Sequence, residues 1–124
     1  MNRLPILLLP LVLLTAGCAE ARDTAATVQD CAGLASDVAR TGLSGVPTQA
    51  EAEAATRRLD ERVSSLDSEA VRDAAVELRD RLRELQQAAR SSDPAAARQA
   101  AERAREAARQ AAEVCGVSPE QFLG

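Results

Sequence analysis

The sequence predicts an all-α protein, a small bundle of antiparallel helices. Two observations carry this reading. After residue 24 apolar residues recur at spacings of three and four, and β-branched residues are too sparse for a period-two strand. Helix boundaries are also marked, by a capping-box pattern at Thr48–Glu51, an Asp93-Pro94 start and a Gly116 stop. The chain has 124 residues, 46% hydrophobic but only 1% aromatic, enough for one small domain with a core of aliphatic side chains and alanine.

The first helix is predicted over about Thr24 to Thr41, with Asp23 or Thr24 as N-cap and Gly42 as the stop. Its apolar stripe reads Val28, Cys31, Ala35 and Val38, flanked by Leu34. A loop from Leu43 to Pro47 leads to Thr48, whose hydroxyl and the Glu51 carboxylate each satisfy a backbone N–H that the helix leaves unpaired. The second stripe is Ala52, Thr56, Leu59, Val63 and Leu66, and the third is Val71, Ala75, Leu78, Leu82, Leu85 and Ala89. The third is out of phase with the second by one residue, and the short polar residues Ser64, Ser65, Asp67 and Ser68 suit a turn there. Since no Gly or Pro interrupts this stretch, a single kinked helix is the alternative. Asp93 and Pro94 open the fourth helix, whose stripe is Ala97, Ala101, Ala104, Ala108, Ala111 and Cys115. Beyond Gly116, the run Ser118-Pro119-Glu120-Gln121 caps a short turn that lays Phe122 and Leu123 on the bundle.

Composition removes several kinds of chemistry. There is no His, so no Ser/His/Asp or Cys/His pair and no His-ligated zinc; all 15 positive side chains are Arg, so no Schiff-base lysine either. The net charge of -4 and the absence of Trp and Tyr speak against nucleic-acid binding. Carboxylates one turn apart, Asp73 with Glu77 and Glu102 with Glu106, are the remaining candidate acids. Their neighbours favour solvated ion pairs such as Glu53 with Arg57 and Glu77 with Arg81. Arg79, Arg81 and Arg83, and Arg103, Arg105 and Arg109, are interleaved with acids and read as solvated faces, with anionic lipid head groups as a lesser option. No catalytic, cofactor or metal residue is assigned.

The N-terminus carries the clearest signal. Arg3 precedes an apolar run from Leu4 to Leu14, followed by Thr15-Ala16-Gly17-Cys18, the layout of a secretory signal peptide and too short for a spanning helix. Leu14-Thr15-Ala16-Gly17-Cys18 resembles the lipobox of bacterial lipoproteins, with Thr15 where an aliphatic residue is commoner. The lysine-free, Ala- and Arg-rich composition is similar to that of small actinobacterial lipoproteins. The resemblance implies cleavage by signal peptidase II after Gly17 and a diacylglycerol on the Cys18 sulfur, with further acylation of its amino group. Two or three acyl chains anchor a protein far more firmly than one. Residue 19 is Ala, so the Asp that retains some lipoproteins at the inner membrane is absent. The alternative is cleavage after Ala19-Glu20-Ala21, which releases a soluble secreted protein starting at Arg22.

With Cys18 assigned to the anchor by this resemblance, Cys31 and Cys115 remain as a disulfide pair in an oxidising compartment; two buried free thiols are the alternative. The bridge selects the topology. In an up-down-up-down four-helix bundle the first and last helices are antiparallel neighbours, whereas in a three-helix bundle they run parallel and the sulfurs stand roughly 15–20 Å apart.

These readings divide the chain into a signal peptide at 1–17, an anchor linker at 18–23 and a helical bundle at 24–124. The expected function is that of a non-enzymatic cell-envelope protein, held on the extracytoplasmic face of the cell membrane through Cys18, with a protein-interaction or structural role that includes self-association. A small-ligand or lipid-binding lipoprotein is the rival, disfavoured because an alanine wall lets helices close together and leaves little cavity.

Overall fold

The structure, a computed structural model, describes residues 25–123. Those residues form an up-down-up-down bundle of four long helices, stapled by a Cys31–Cys115 disulfide and closed by a short fifth helix. Helix α1 covers 25–39, α2 Gln49–Ser65, α3 Glu69–Arg90, α4 Pro94–Cys115 and α5 Glu120–Leu123. No strand occurs among the described residues. The expected start of the first helix at Thr24 lies outside them.

Helices α2, α3 and α4 begin where their sequence supplies an acceptor for unpaired N–H groups. Thr48 and Glu51 form the reciprocal capping box of α2: the Glu51 N–H donates to the Thr48 hydroxyl at 3.2 Å, and the Thr48 N–H donates to the Glu51 carboxylate at 3.1 Å. The Ser68 hydroxyl accepts from the Val71 N–H, and the Asp93 carboxylate from the N–H groups of Ala95 and Ala96, with Pro94 in the first turn of α4. The break between α2 and α3 is a turn, since Leu66 and Ser68 are both extended. Termination is equally local. Gly116 follows α4 with φ +67°, and the N–H of Val117 donates back to the Ala112 carbonyl while that of Gly116 reaches Glu113, a paired closure that favours glycine.

The seams agree with the sequence for α3, where Val71, Ala75, Leu78, Leu82 and Leu85 are all buried, and for most of α2. Two seams differ. In α1 the inward residue is Leu34, fully buried beside Val38 and Cys31, whereas Val28 is 61% exposed and Ala35 only half-buried. Its remaining inward positions are Asp30 and Asp37, which the apolar stripe does not include. In α4 a second file, Ala100, Ala107 and Ala112, is buried beside the expected Ala101, Ala104, Ala108 and Ala111, while Ala97 and Cys115 are half-buried. The fully buried residues of α4 are all alanine, with no bulky side chain to fix one inward direction, so the helix buries two files.

Helix α3 packs against both α2 and α4, and α5 returns onto α4 with Phe122 fully buried. Polar contacts tie α1 to its neighbours. The Asp37 carboxylate accepts from Arg62 of α2, and the Arg105 guanidinium of α4 donates to the carbonyls of Leu43 and Gly45 in the loop that follows α1. Arg105 was expected on a solvated face; its side chain is largely covered instead, because those two carbonyls lie beyond the end of α1 with no helical partner.

Candidate functional site

Of the three cysteines read from the sequence, Cys18 lies outside the described residues, as do the signal peptide, the linker and the Ala19-Glu20-Ala21 alternative. The other two meet. Cys31, in the second turn of α1, and Cys115, the last residue of α4, are disulfide-bonded with Cα atoms 5.8 Å apart, inside the normal range for a bridge. The antiparallel α1/α4 pairing places them level, so the staple joins the two ends of the chain's fold at one pole of the bundle.

Beside the bridge is an open, charge-free cleft of about 210 Å³, lined by Val28, Cys31, Ala32, Cys115, Val117 and Phe122 among others. Val28 therefore stands on its rim rather than in the core.

On the opposite flank of α1 the cleft against α2 is polar. It measures about 340 Å³ and is lined by Asp37, Arg40, Arg58, Glu61, Arg62 and Ser65. Gly33 shapes it: a Cβ there would stand 2.7 Å from Nη1 of Arg62, so the guanidinium lies directly on the α1 backbone. From that position Arg62 donates through Nε to Asp37 Oδ2 at 2.7 Å and through Nη2 to Oδ1 at 3.4 Å, a forked pair. The hydrogen bond that Arg62 donates to Asp37 raises the Arg62 pKa above its ordinary value, against the opposing effect of burial and with support from the charges of Asp37 and Asp30.

A second carboxylate on α1 does different work. Asp30 Oδ2 accepts from the backbone N–H groups of Asp67 at 3.0 Å and Ser68 at 2.8 Å, at the entrance to α3. Sequence reasoning missed both aspartates because their partners are distant in sequence, in the α2/α3 turn for Asp30 and on α2 for Asp37.

Of the acids considered from the sequence, Glu77, Glu102 and Glu106 are engaged in ion pairs, while Asp73 is in none among the described residues. Glu77 binds Arg81, held also by Glu84; Glu102 binds Arg105, and Glu106 binds Arg109. The interaction with Glu77 and then Glu84 raises the Arg81 pKa. Arg79 and Arg83 bind Asp60 across the α2/α3 interface, a contact the local charge pattern did not reveal, while Glu53 and Arg57 form no ion pair among the described residues. An open cleft of about 210 Å³ between α3 and α4 is lined by Glu77, Arg81, Arg103 and Glu106. Among the described residues no three His, Cys, Asp or Glu side chains assemble as a metal site, and no helix is long and apolar enough to cross a membrane.

No protein-family model matches the chain, and no match to it is found among curated proteins or solved structures.

Proposed function

We propose that this chain is a lipid-anchored, non-enzymatic protein of the bacterial cell envelope, held at the extracytoplasmic face of the cell membrane through Cys18 and working through protein contacts or as a structural element. The observation that carries the reading is Leu14-Thr15-Ala16-Gly17-Cys18 placed directly after an apolar run with Arg3 at its head. The Cys31–Cys115 bridge supports export, because structural disulfides persist in oxidising compartments and are rare in reducing ones. A role through contacts is favoured over carriage of a ligand. The clefts described above, from about 210 to 340 Å³, are open and lie near the lower end of ligand pockets, which enclose about 300–1,000 Å³.

Mass spectrometry of the mature N-terminus tests the anchor. The expected product begins at Cys18 with a diacylglycerol thioether, and Cys18→Ala abolishes both the modification and the membrane fraction. An unmodified chain starting at Arg22 overturns the reading in favour of a soluble secreted protein. Pull-down from detergent-solubilised envelope, with light scattering for self-association, then tests the contact role; a monomer that captures nothing specific counts against it.

A further inference from the structure

We propose that the polar cleft between α1 and α2 is a binding site for a phosphate group, held by Arg58 and Arg40 beside the fixed guanidinium of Arg62. Two guanidinium groups without a carboxylate partner share this place. On α3 and α4 Arg79, Arg81, Arg83, Arg103, Arg105 and Arg109 each have such a partner, whereas Arg72, Arg90 and Arg98 have none among the described residues. Arg40 and Arg58 have none among the described residues, and both line the same cleft.

Arg58 adds a second observation. Its Nε–H is buried with no hydrogen-bond acceptor. Leaving such a donor unmet is costly, and a charged acceptor restores the most. The other buried orphan of this kind, Arg79 Nε, belongs to a guanidinium whose terminal nitrogens already bind Asp60 and Asp80, so its charge is met. That of Arg58 is not.

The acids of the cleft leave the cations available. Asp37 is taken by the forked bond from Arg62, and Glu61 stands exposed, in no ion pair among the described residues. With Arg40, Arg58 and Arg62 against Asp37 and Glu61, the lining has a net positive charge in a chain whose total is -4. Planar guanidinium donors from α2 and from the turn that follows α1 match the tetrahedral oxygens of a phosphate, and a volume of about 340 Å³ admits one or two phosphoryl groups. Inorganic phosphates, phosphomonoesters and phospholipid head groups share this chemistry.

The full chain in neutral detergent, with its disulfide intact, is titrated with pyrophosphate while the arginine Nε–H resonances are followed by NMR, against chloride at matched ionic strength. A parallel titration uses mixed micelles of phosphatidic acid against phosphatidylcholine. The expected result is a saturable shift of the Arg58 Nε–H, weakened by roughly tenfold in Arg58→Gln and Arg40→Gln and strengthened in Glu61→Gln. Arg57→Gln, the same charge change at the neighbouring exposed position, leaves affinity within roughly twofold. Response to pyrophosphate identifies a soluble phosphate as the source, and response to phosphatidic acid alone identifies a head group. Shifts no larger than those from chloride, or equal losses in Arg57→Gln and Arg58→Gln, overturn the site. Melting curves of each variant separate lost binding from lost folding.

Discussion

Asp30 caps a helix it does not belong to: its carboxylate, on α1, accepts from the backbone N–H of Ser68, the N-cap of α3, and from Asp67 before it. One buried side chain thereby fixes the α2/α3 turn against α1. Asp30→Ala leaves two backbone donors without their acceptor and is expected to destabilise the fold by about 1–3 kcal/mol in urea denaturation. Asp30→Asn, whose amide oxygen still accepts, retains about half of that.

The Asp37–Arg62 pair predicts an asymmetry. The Arg62 side chain is 36% exposed and reaches water when its partner is removed, whereas the Asp37 side chain is 9% exposed and stays buried. Arg62→Ala therefore costs more than Asp37→Ala. A double-mutant cycle should give a coupling of about 1 kcal/mol, and equal single-mutant costs would contradict the geometry.

The disulfide closes a loop between positions 84 apart in sequence, for which the chain-entropy model gives about 4.5 kcal/mol. Reduction, or Cys31→Ser with Cys115→Ser, is expected to lower the melting temperature markedly while leaving the far-UV helical signal in place at low temperature. An unchanged melting temperature would show that packing alone holds α1.

The two sides of the core respond to opposite changes. Leu82 is fully buried, and Leu82→Ala is expected to cost about 2–5 kcal/mol by opening a cavity. Ala104 is equally buried, and Ala104→Leu is expected to cost about 1–3 kcal/mol by forcing α4 away from its neighbours. Chemical denaturation of both variants checks the pair.

Glu51 gives a pH dependence. Its pKa is lowered by the hydrogen bond from the Thr48 backbone and then by the Thr48 hydroxyl. A depressed folded-state pKa contributes stability that is present above the unfolded-chain value and lost as pH falls through the folded one. The stability difference between the wild type and Glu51→Ala should accordingly shrink as the buffer is taken from about pH 7 to about pH 3, while Glu51→Gln shows a flatter profile.

What the sequence made legible was local. The Thr48 box, the Asp93-Pro94 start and the Gly116 stop each involve residues within a few positions of one another, and the α3 stripe contains leucines large enough to define one inward face. The seam of α1 was not legible in full, because Asp30 and Asp37 find their partners 37 and 25 residues away and an apolar spacing pattern does not mark them. Val28 had the spacing of a core residue but lies on the rim of a cleft, since Leu34 sets the orientation of the helix. The second alanine file of α4 escaped for the opposite reason: a helix apolar on several sides has no unique phase. Of the site residues, the Cys31–Cys115 pairing followed from assigning Cys18 to the anchor, whereas the Arg40/Arg58 cleft depends on how α1 and α2 face each other.

The positions of Cys31 and Cys115 also bear on proteolysis. They bracket every connection between the long helices, the stretches at 40–48, 66–68 and 91–93. A protease that cuts any one of these leaves both fragments covalently joined, so a nicked molecule keeps its mass on a non-reducing gel and separates only after reduction. If Cys18 holds the chain to a bilayer, such a cut does not shed the body of the protein from its surface.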